Sequence, residues 1–448
     1  MKSVKTLLGA VSGFTAMMAA ATPAWAQEVA EAAAADPVPN PGNNAWMMTS
    51  TILVLMMILP GLALFYGGLT RSKNMLSTMT QIGSAAALAM IIWVCWGYTM
   101  AFGGDGNMFI SNFSKLFLAG VTPDSTAATF SDEVISEYVF ICFQMTFAAI
   151  TAALVFGATV ERMKFSAAMV FTAIWLTIVY FPIAHMVWYA GDVNGLMMEW
   201  GALDFAGGTV VHINAGVSAL VASLILGKRT GYPKEPMPPH SLTLTMVGTG
   251  LLWVGWFGFN AGSELEADGF AGLAMINTFV ATASAALAWM LVEKMAGHKP
   301  SALGFCSGVI AGLVAVTPAA GNSGPFGAIV LGAVASVICY LAVAKLKPAL
   351  GYDDALDAFG IHGVGGMIGA IGTGIVYSPL LGGPGDADFV MSAQVWVQIK
   401  SVIVSIVWAG VGTAIAIFIA KILTGLRVSE QVEYEGLDLG EHGESAYN

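Results

Sequence analysis

Long apolar runs alternate with short polar segments along most of the chain. A helix needs about 20 largely apolar residues to cross a hydrocarbon core of roughly 30 Å, and these runs are of that order with few charges inside. The predicted spans lie at 46–69, 78–102, 134–158, 165–187, 206–227, 241–262, 270–292, 302–318, 326–345, 358–378 and 394–424. The pattern predicts an all-α polytopic membrane protein with eleven transmembrane helices.

The spans divide into five, five and one. Because five is odd, a duplicated second half must insert upside down. Asp204 precedes His212 by eight residues in the fifth span, and Asp354 precedes His362 by eight residues at the tenth, which is the corresponding span. We therefore predict two inverted five-helix repeats plus a final long helix.

The composition agrees with a membrane protein, since 57% of residues are hydrophobic, 10% are charged and the mean hydropathy is +0.75. The formal net charge of −11 argues against a nucleic-acid partner and against a polybasic membrane anchor. The four cysteines have neither paired nor metal-site spacing, so we interpret them as packing residues.

The ends of the chain differ from its apolar middle. Lys2 and Lys5, a following apolar stretch and the motif Ala24-Trp25-Ala26 are typical of a cleaved secretory signal. We predict a signal peptide at 1–26, an exported leader at 27–44, the transmembrane domain at 45–427 and a tail at 428–448. The tail is acidic and polar, which by composition alone predicts a solvated segment.

The basic residues predict an orientation. If the cleaved N-terminus lies outside, 13 of the 15 basic residues that remain after removal of residues 1–26 fall at cytoplasmic connections. Lys115 lies in an outer loop, and Lys400 lies near the outer half of the last span. The C-terminus is therefore expected in the cytoplasm.

The two repeated histidines are the first candidates for function. Eight helical residues at about 1.5 Å each would carry His212 and His362 roughly 12 Å inward, towards the midplane. A charge at that depth is costly, so the imidazoles are expected to be neutral and able to share one proton or to hydrogen-bond a small polar guest. The alternative is that each is a core histidine that bridges helices.

The two aspartates have a different expected role. Eight residues correspond to about 800° of rotation, which places Asp204 some 80° from the helix face of His212. Asp204 is therefore not expected to act as the base of that histidine. A carboxylate at a helix start accepts backbone N–H bonds, so capping is the favoured interpretation for Asp204 and Asp354. Asp204 also adds negative potential near the outer mouth.

Aromatic residues near the predicted outer face could form a cation site. Their ring faces attract a cation that is losing water, and a hydroxyl nearby can accept an N–H bond. Tryptophan is also a common membrane-interface anchor and phenylalanine a common core residue, so the spacing leaves both interpretations open. The candidates are Phe143, Phe147, Trp188, Phe259 and Ser263.

Three longer motifs resemble the ammonium transporter (Amt/Mep/Rh) family, bacterial branch. They are Asp204-Phe-Ala-Gly-Gly-Thr-Val-Val-His212, Gly255-Trp-Phe-Gly-Phe259-Asn-Ala-Gly-Ser263 and Phe359-Gly-Ile-His362-Gly-Val. The resemblance extends over nearly everything after about Asn44.

The resemblance implies the following site. Trp188, Phe147 and Ser263 would recruit NH4+ outside, and Phe147 with Phe259 would form a stacked gate. His212 and His362 would line the pore, and Asp204 would be the essential acid near the recruitment site. It also implies a homotrimer in the bacterial inner (plasma) membrane, a tail that docks a PII-type signalling protein, NH3 passage after deprotonation, and no cofactor.

Two other classes of function compete with transport. An ammonium sensor would relay ligand occupancy through the tail to a partner. A membrane enzyme is suggested only by Gly321-Asn-Ser323-Gly324, which matches a short serine-protease pattern, whereas no zinc-protease or nucleophile-elbow motif is present in the sequence.

Overall fold

The computed structural model describes residues 37–447, so the predicted signal peptide and most of the predicted leader lie outside the described residues. Within that range, eleven helices are long and apolar enough to cross a membrane. They are α1 (Pro41–Leu69), α2 (Ser72–Phe102), α3 (Glu137–Ala158), α4 (Phe165–Trp188), α5 (Gly208–Leu226), α6 (Leu242–Glu264), α7 (Gly269–Met295), α8 (Ala302–Ala319), α9 (Pro325–Leu350), α10 (Phe359–Val376) and α11 (Met391–Thr424). The predicted eleven-span fold is confirmed.

A side-chain cap sets the start of the first helix. The first helix begins at Pro41, earlier than the predicted residue 46. The Asn40 side chain accepts hydrogen bonds from the amides of Gly42 and Asn43 at 2.8 and 3.1 Å, and proline suits the first helical turn. Because this first turn is polar, the apolar pattern did not include it.

The fifth and tenth helices run in opposite directions and cross at very short range. A Cβ atom added to Gly216 would lie 2.1 Å from the backbone nitrogen of Gly363. Only glycine permits this approach, because any side chain would push the two helices apart. Each helix begins with a π-helical turn, Gly208–Ile213 in α5 and Phe359–Gly363 in α10. The predicted inverted relation of the two halves is found here.

The molecule has two faces, named here by the chain ends that they carry. The N-terminal face is where α1 begins, and it also carries an antiparallel hairpin of β1 (Thr126–Ala128) and β2 (Val134–Ser136). The C-terminal face is where α11 ends. Between the faces, large apolar side chains remain exposed on the outer helix surfaces, as at Leu287 and Val407, and these suit contact with lipid.

The tail is folded against the C-terminal face. It forms α12 (Glu430–Glu435) and α13 (Leu437–His442). The Asp438 carboxylate accepts hydrogen bonds from the amides of Leu76 and Ser77 at the start of α2, at 3.1 and 2.7 Å, and Leu437 is fully buried. The expectation of a solvated tail is therefore wrong, because its acidic side chains bond to backbone amides that composition does not reveal.

Candidate functional site

The two histidines meet in the interior of the helix bundle. The Nδ1 atoms of His212 and His362 are 3.3 Å apart, and their ring centroids are 5.3 Å apart. Both side chains are almost completely buried. One Nδ1 therefore donates a hydrogen bond to the other, which a neutral pair of imidazoles can do with opposite tautomers.

Asp204 holds the start of α5 by its carboxylate. Oδ1 accepts from the amides of Gly207 and Gly208 at 3.0 and 2.6 Å, and Oδ2 accepts from Thr209 and Val210 at 2.9 and 3.1 Å. Gly207 has a φ of +111°, a backbone conformation that glycine adopts readily and residues with a Cβ atom rarely adopt. Burial raises the pKa of the Asp204 carboxyl, and the four amides oppose that rise. The capping role expected for Asp204 is thus found.

The Asp354 carboxylate caps the start of α10 in the same way, but with two hydrogen bonds instead of four. Its carboxylate accepts from the amides of Ala358 and Phe359 at 3.0 and 2.8 Å. Burial raises the pKa of this carboxyl to about 6, although the Lys347 ammonium opposes the rise. Both aspartates lie before the helices they cap, so neither carboxylate reaches its histidine.

Contrary to the prediction from the sequence, the histidines do not reach the interior along two turns of helix. Regular helix begins only at Gly208 and Phe359, so His212 and His362 lie one turn inside their helices rather than two. One turn advances the chain by about 5 Å instead of roughly 12 Å. The histidines still meet, because non-helical backbone at 204–207 and 354–357 brings each helix start into the bundle.

A narrow apolar cavity adjoins the paired histidines. Its volume is about 10 Å³, which is the space of a single water-sized probe, and its walls include Leu154, Val211 and Ile310 besides the histidines. The ring nitrogen Nε2 of His212 is buried and has no hydrogen-bond partner among the described residues. The lining of the cavity is therefore apolar, and the unpartnered ring nitrogen lies just behind it.

Trp256 supports the histidine pair and was missed from the sequence. Its ring stacks on His212 with centroids 5.3 Å apart and an interplanar angle of 18°. Its indole nitrogen donates to the hydroxyl of Thr317 at 2.9 Å, which fixes the ring. Trp256 lies three residues before Phe259 in the quoted motif, so the helical spacing could have indicated that both face the same side.

Two phenylalanines separate this narrow cavity from a larger one. The rings of Phe147 and Phe259 stack with centroids 4.2 Å apart and an interplanar angle of 12°. Phe259 lines the narrow cavity, whereas Phe147 lines an open cavity of about 830 Å³ on the N-terminal face, called here the vestibule. The stacked rings thus lie between the vestibule and the histidines.

The remaining predicted site residues line the vestibule together. The indole nitrogen of Trp188 donates to the backbone oxygen of Asp204 at 2.8 Å, and the Trp188 ring contacts Phe147 edge-on at 5.8 Å. The Ser263 hydroxyl donates to the backbone oxygen of Phe259 at 2.8 Å. Phe143 packs on Phe147 with centroids 4.9 Å apart. Sequence reasoning missed further polar residues of this wall, namely Gln144, Glu264, Glu266 and Asp268.

The chain matches known proteins over nearly its whole length. The sequence profile of the Ammonium Transporter Family matches residues 45–447. The chain belongs to this family. It is 47% identical to an ammonium transporter of Aquifex aeolicus over 411 residues, which are 91% of this chain and 93% of that protein. It is 45% identical to an ammonium transporter of Bacillus subtilis over 408 residues, covering 91% and 98% of the two chains.

Solved structures agree with this assignment. The crystal structure of Mep2 from Saccharomyces cerevisiae matches with a TM-score of 0.78 and 36% identity, covering 87% of this chain and 88% of Mep2. A structure described as a sensor Amt protein matches with a TM-score of 0.82 and 28% identity, covering 90% and 98%. The protein is an ammonium transporter rather than an enzyme. Ser323, the serine of the protease-like pattern, is fully buried, and its hydroxyl has no hydrogen-bond partner within residues 37–447.

The C-terminal face of the transporter carries a buried charge network that the sequence did not predict. Arg229 bonds to Asp353 at 2.8 Å and to Glu161 at 3.0 Å, and Arg71 also bonds to Glu161 at 2.9 Å. Burial works to raise the pKa of both carboxyls, but the guanidinium groups outweigh it and hold both pKa values below the ordinary range. These charges lie in four separate connections between helices, so only the tertiary structure brings them together.

Proposed function

We propose that this ammonium transporter binds NH4+ in the vestibule, where the ion gives a proton to water before the stacked phenylalanines, and conducts the remaining NH3 past the paired histidines. The observation that supports the proposal most is the histidine pair, buried beyond the Phe147–Phe259 stack at an Nδ1 to Nδ1 distance of 3.3 Å. Trp188, Phe147 and Ser263 would recruit the cation, Phe147 and Phe259 would gate the pore, and Asp204 would hold α5 and Trp188 in place.

The dimensions of the inner cavity favour a neutral permeant. A space of about 10 Å³ with apolar walls cannot hold a hydrated metal ion, and it offers no ring of oxygens to replace the water around K+ or Na+. Ammonium differs from these ions because it can leave a proton behind and enter as uncharged NH3. A dry pore of this kind then selects for ammonium by excluding ions that keep their charge.

The histidine pair offers NH3 both kinds of hydrogen bond. If one Nδ1 donates and the other accepts, one outer ring nitrogen carries a hydrogen and the other carries a lone pair. NH3 can accept from the first and donate to the second as it moves past. This exchange lowers the cost of passing a polar molecule through an apolar space without placing a charge there.

Ammonium-driven pH change in proteoliposomes tests the route. The His212→Ala, His362→Ala double variant should lose at least about nine-tenths of the flux, whereas His298→Ala, in an exposed loop, should retain native flux. Absence of flux in the native protein would overturn transport by this route altogether. If the native protein and the double variant transport ammonium equally well, only the role of the histidines is overturned.

The setting of the transporter is part of the proposal. It would be a homotrimer in the bacterial inner (plasma) membrane with residues 1–26 cleaved, the N-terminal face outside and the tail in the cytoplasm. The basic residues support this orientation, since 13 of the 15 outside the predicted signal belong to connections on the C-terminal face. Native mass spectrometry of the purified protein should give three chains.

The tail is proposed to regulate flux by docking a PII-type signalling protein. Its support is the packing of Asp438 and Leu437 on the start of α2, which links the last residues of the chain to a transmembrane helix. Deleting residues 429–448 should alter PII binding or flux in proteoliposomes. Unchanged values of both would contradict this role.

A sensor is the second candidate function, because one structural neighbour is described as a sensor Amt protein. The same vestibule would then report ammonium to a partner through the tail. PII binding that depends on ammonium, in a protein that conducts none, would favour the sensor over the transporter.

A further inference from the structure

A buried carboxylate in the vestibule has no role in the route described above. Glu264 is the last residue of α6, directly after Ser263, and only 7% of its surface is exposed. None of the six ion pairs found within residues 37–447 includes it. Two further acids, Glu266 and Asp268, follow it within four residues and line the same cavity.

If Glu264 is ionised, no cation and no hydrogen-bond donor among the described residues offsets the charge of its carboxylate. Removing such a group from water is costly unless a cation or hydrogen-bond donors replace the lost hydration, and nearby carboxylates add repulsion. Other buried acids of this protein have such partners. Glu137, for example, is 3% exposed and is bonded to the hydroxyl of Tyr98 at 2.6 Å and to the ammonium of Lys115. Glu264 is therefore favoured as an anion when a cation or hydrogen-bond donor reaches it from the vestibule.

A second acceptor on the same wall also lacks a donor. The side-chain oxygen of Gln144 is buried without a hydrogen-bond partner, and Gln144 is 8% exposed. The Ser263 hydroxyl uses its hydrogen to bond the Phe259 carbonyl, so its lone pairs remain free to accept. The Glu264 carboxylate and the Ser263 hydroxyl thus line one cavity beside the rings of Phe147 and Trp188, and the Gln144 oxygen lies beneath the surface of the same wall.

We propose that the Glu264 carboxylate is the anionic ligand of the cationic substrate in the vestibule. NH4+ carries four N–H donors and a positive charge, so it can bond Glu264 and Ser263 together while it lies against the aromatic rings. The inference rests on the proposed function, to which it adds a charged ligand. Because Glu264 acts before the gate, it sets the affinity for ammonium rather than the maximal rate.

The concentration dependence of flux in proteoliposomes tests this role. Glu264→Gln keeps the shape of the side chain but removes its charge, and it should raise the KM for ammonium about ten-fold, equal to about 1.4 kcal/mol. The maximal rate should stay within about two-fold of native. Glu133→Gln is the control, because Glu133 is exposed on the hairpin of the same face and does not line the vestibule. Its KM should stay near native.

The outcomes separate this inference from the proposed function. Saturable flux in the native protein with an unchanged KM in Glu264→Gln overturns the role of Glu264 and leaves the route intact. Equal increases of KM in Glu264→Gln and Glu133→Gln also overturn it, because they would indicate a general effect of negative charge. No flux in the native protein overturns the route itself. If Glu264→Gln does not accumulate, Glu264→Ala replaces it with the same expected increase.

Discussion

An Asp204→Asn substitution should destabilise the start of α5 and thereby stop transport. Each carboxylate oxygen of Asp204 accepts two backbone amides, at distances between 2.6 and 3.1 Å. The NH2 group of asparagine cannot accept, so two of the four amides lose their partner whichever way the side chain turns. A hydrogen bond to a charged group contributes about 1.5–3 kcal/mol, so the expected loss is about 3–6 kcal/mol.

Asp354→Asn provides a matched comparison within the same chain. Each oxygen of Asp354 accepts one amide, so asparagine leaves only one amide without a partner. The expected loss is about 1.5–3 kcal/mol, which is half of that for Asp204→Asn. Denaturant unfolding of the purified protein in detergent measures both losses, and ammonium flux in proteoliposomes measures the consequence for α5 and Trp188.

Two results would refute this reasoning. Equal destabilisation by the two substitutions would show that the number of amide bonds does not decide the effect. Loss of flux in Asp204→Asn at native stability would show that the charge of Asp204, rather than the backbone it holds, is what transport requires.

Three further predictions follow from the packing and the charges. Gly216→Ala should separate α5 from α10 and abolish flux, whereas Gly250→Ala, whose Cβ would meet nothing within 4 Å, should not; equal flux in the two variants would contradict the close crossing. Phe259→Ala should raise the water permeability of proteoliposomes, measured by light scattering, because it removes the ring between the vestibule and the inner cavity; unchanged permeability would argue against a gate. The lowered pKa values of Glu161 and Asp353 mean that their stabilisation is complete above pH of about 4 and is lost as the pH falls through the lowered folded values. Arg229→Gln should cost about 3–5 kcal/mol at pH 7, and the difference from native in unfolding free energy should narrow at low pH; a constant difference would contradict it.

Part of the candidate site could be predicted because its signals are local. The capping role of Asp204 follows from a carboxylate just before an apolar helix, and the shared face of Phe147 and Phe143 follows from helical spacing. Glu264 and Gln144 gave no such signal, because a single acid or amide near a helix end usually faces water. Their burial without partners depends on the neighbouring helices, which no local pattern specifies.

The sequence by itself determined the membrane class, the eleven spans and the inverted halves. Hydropathy over about 20 residues is a property of one segment, and the parity of five spans fixes the direction of the second half. The inverted halves also predicted that His212 and His362 approach each other. Tertiary structure alone decided which ring nitrogens meet, that four connections share one charge network, and that the acidic tail packs on α2. These features join residues far apart in the chain, so they depend on which helix faces come into contact rather than on any single segment.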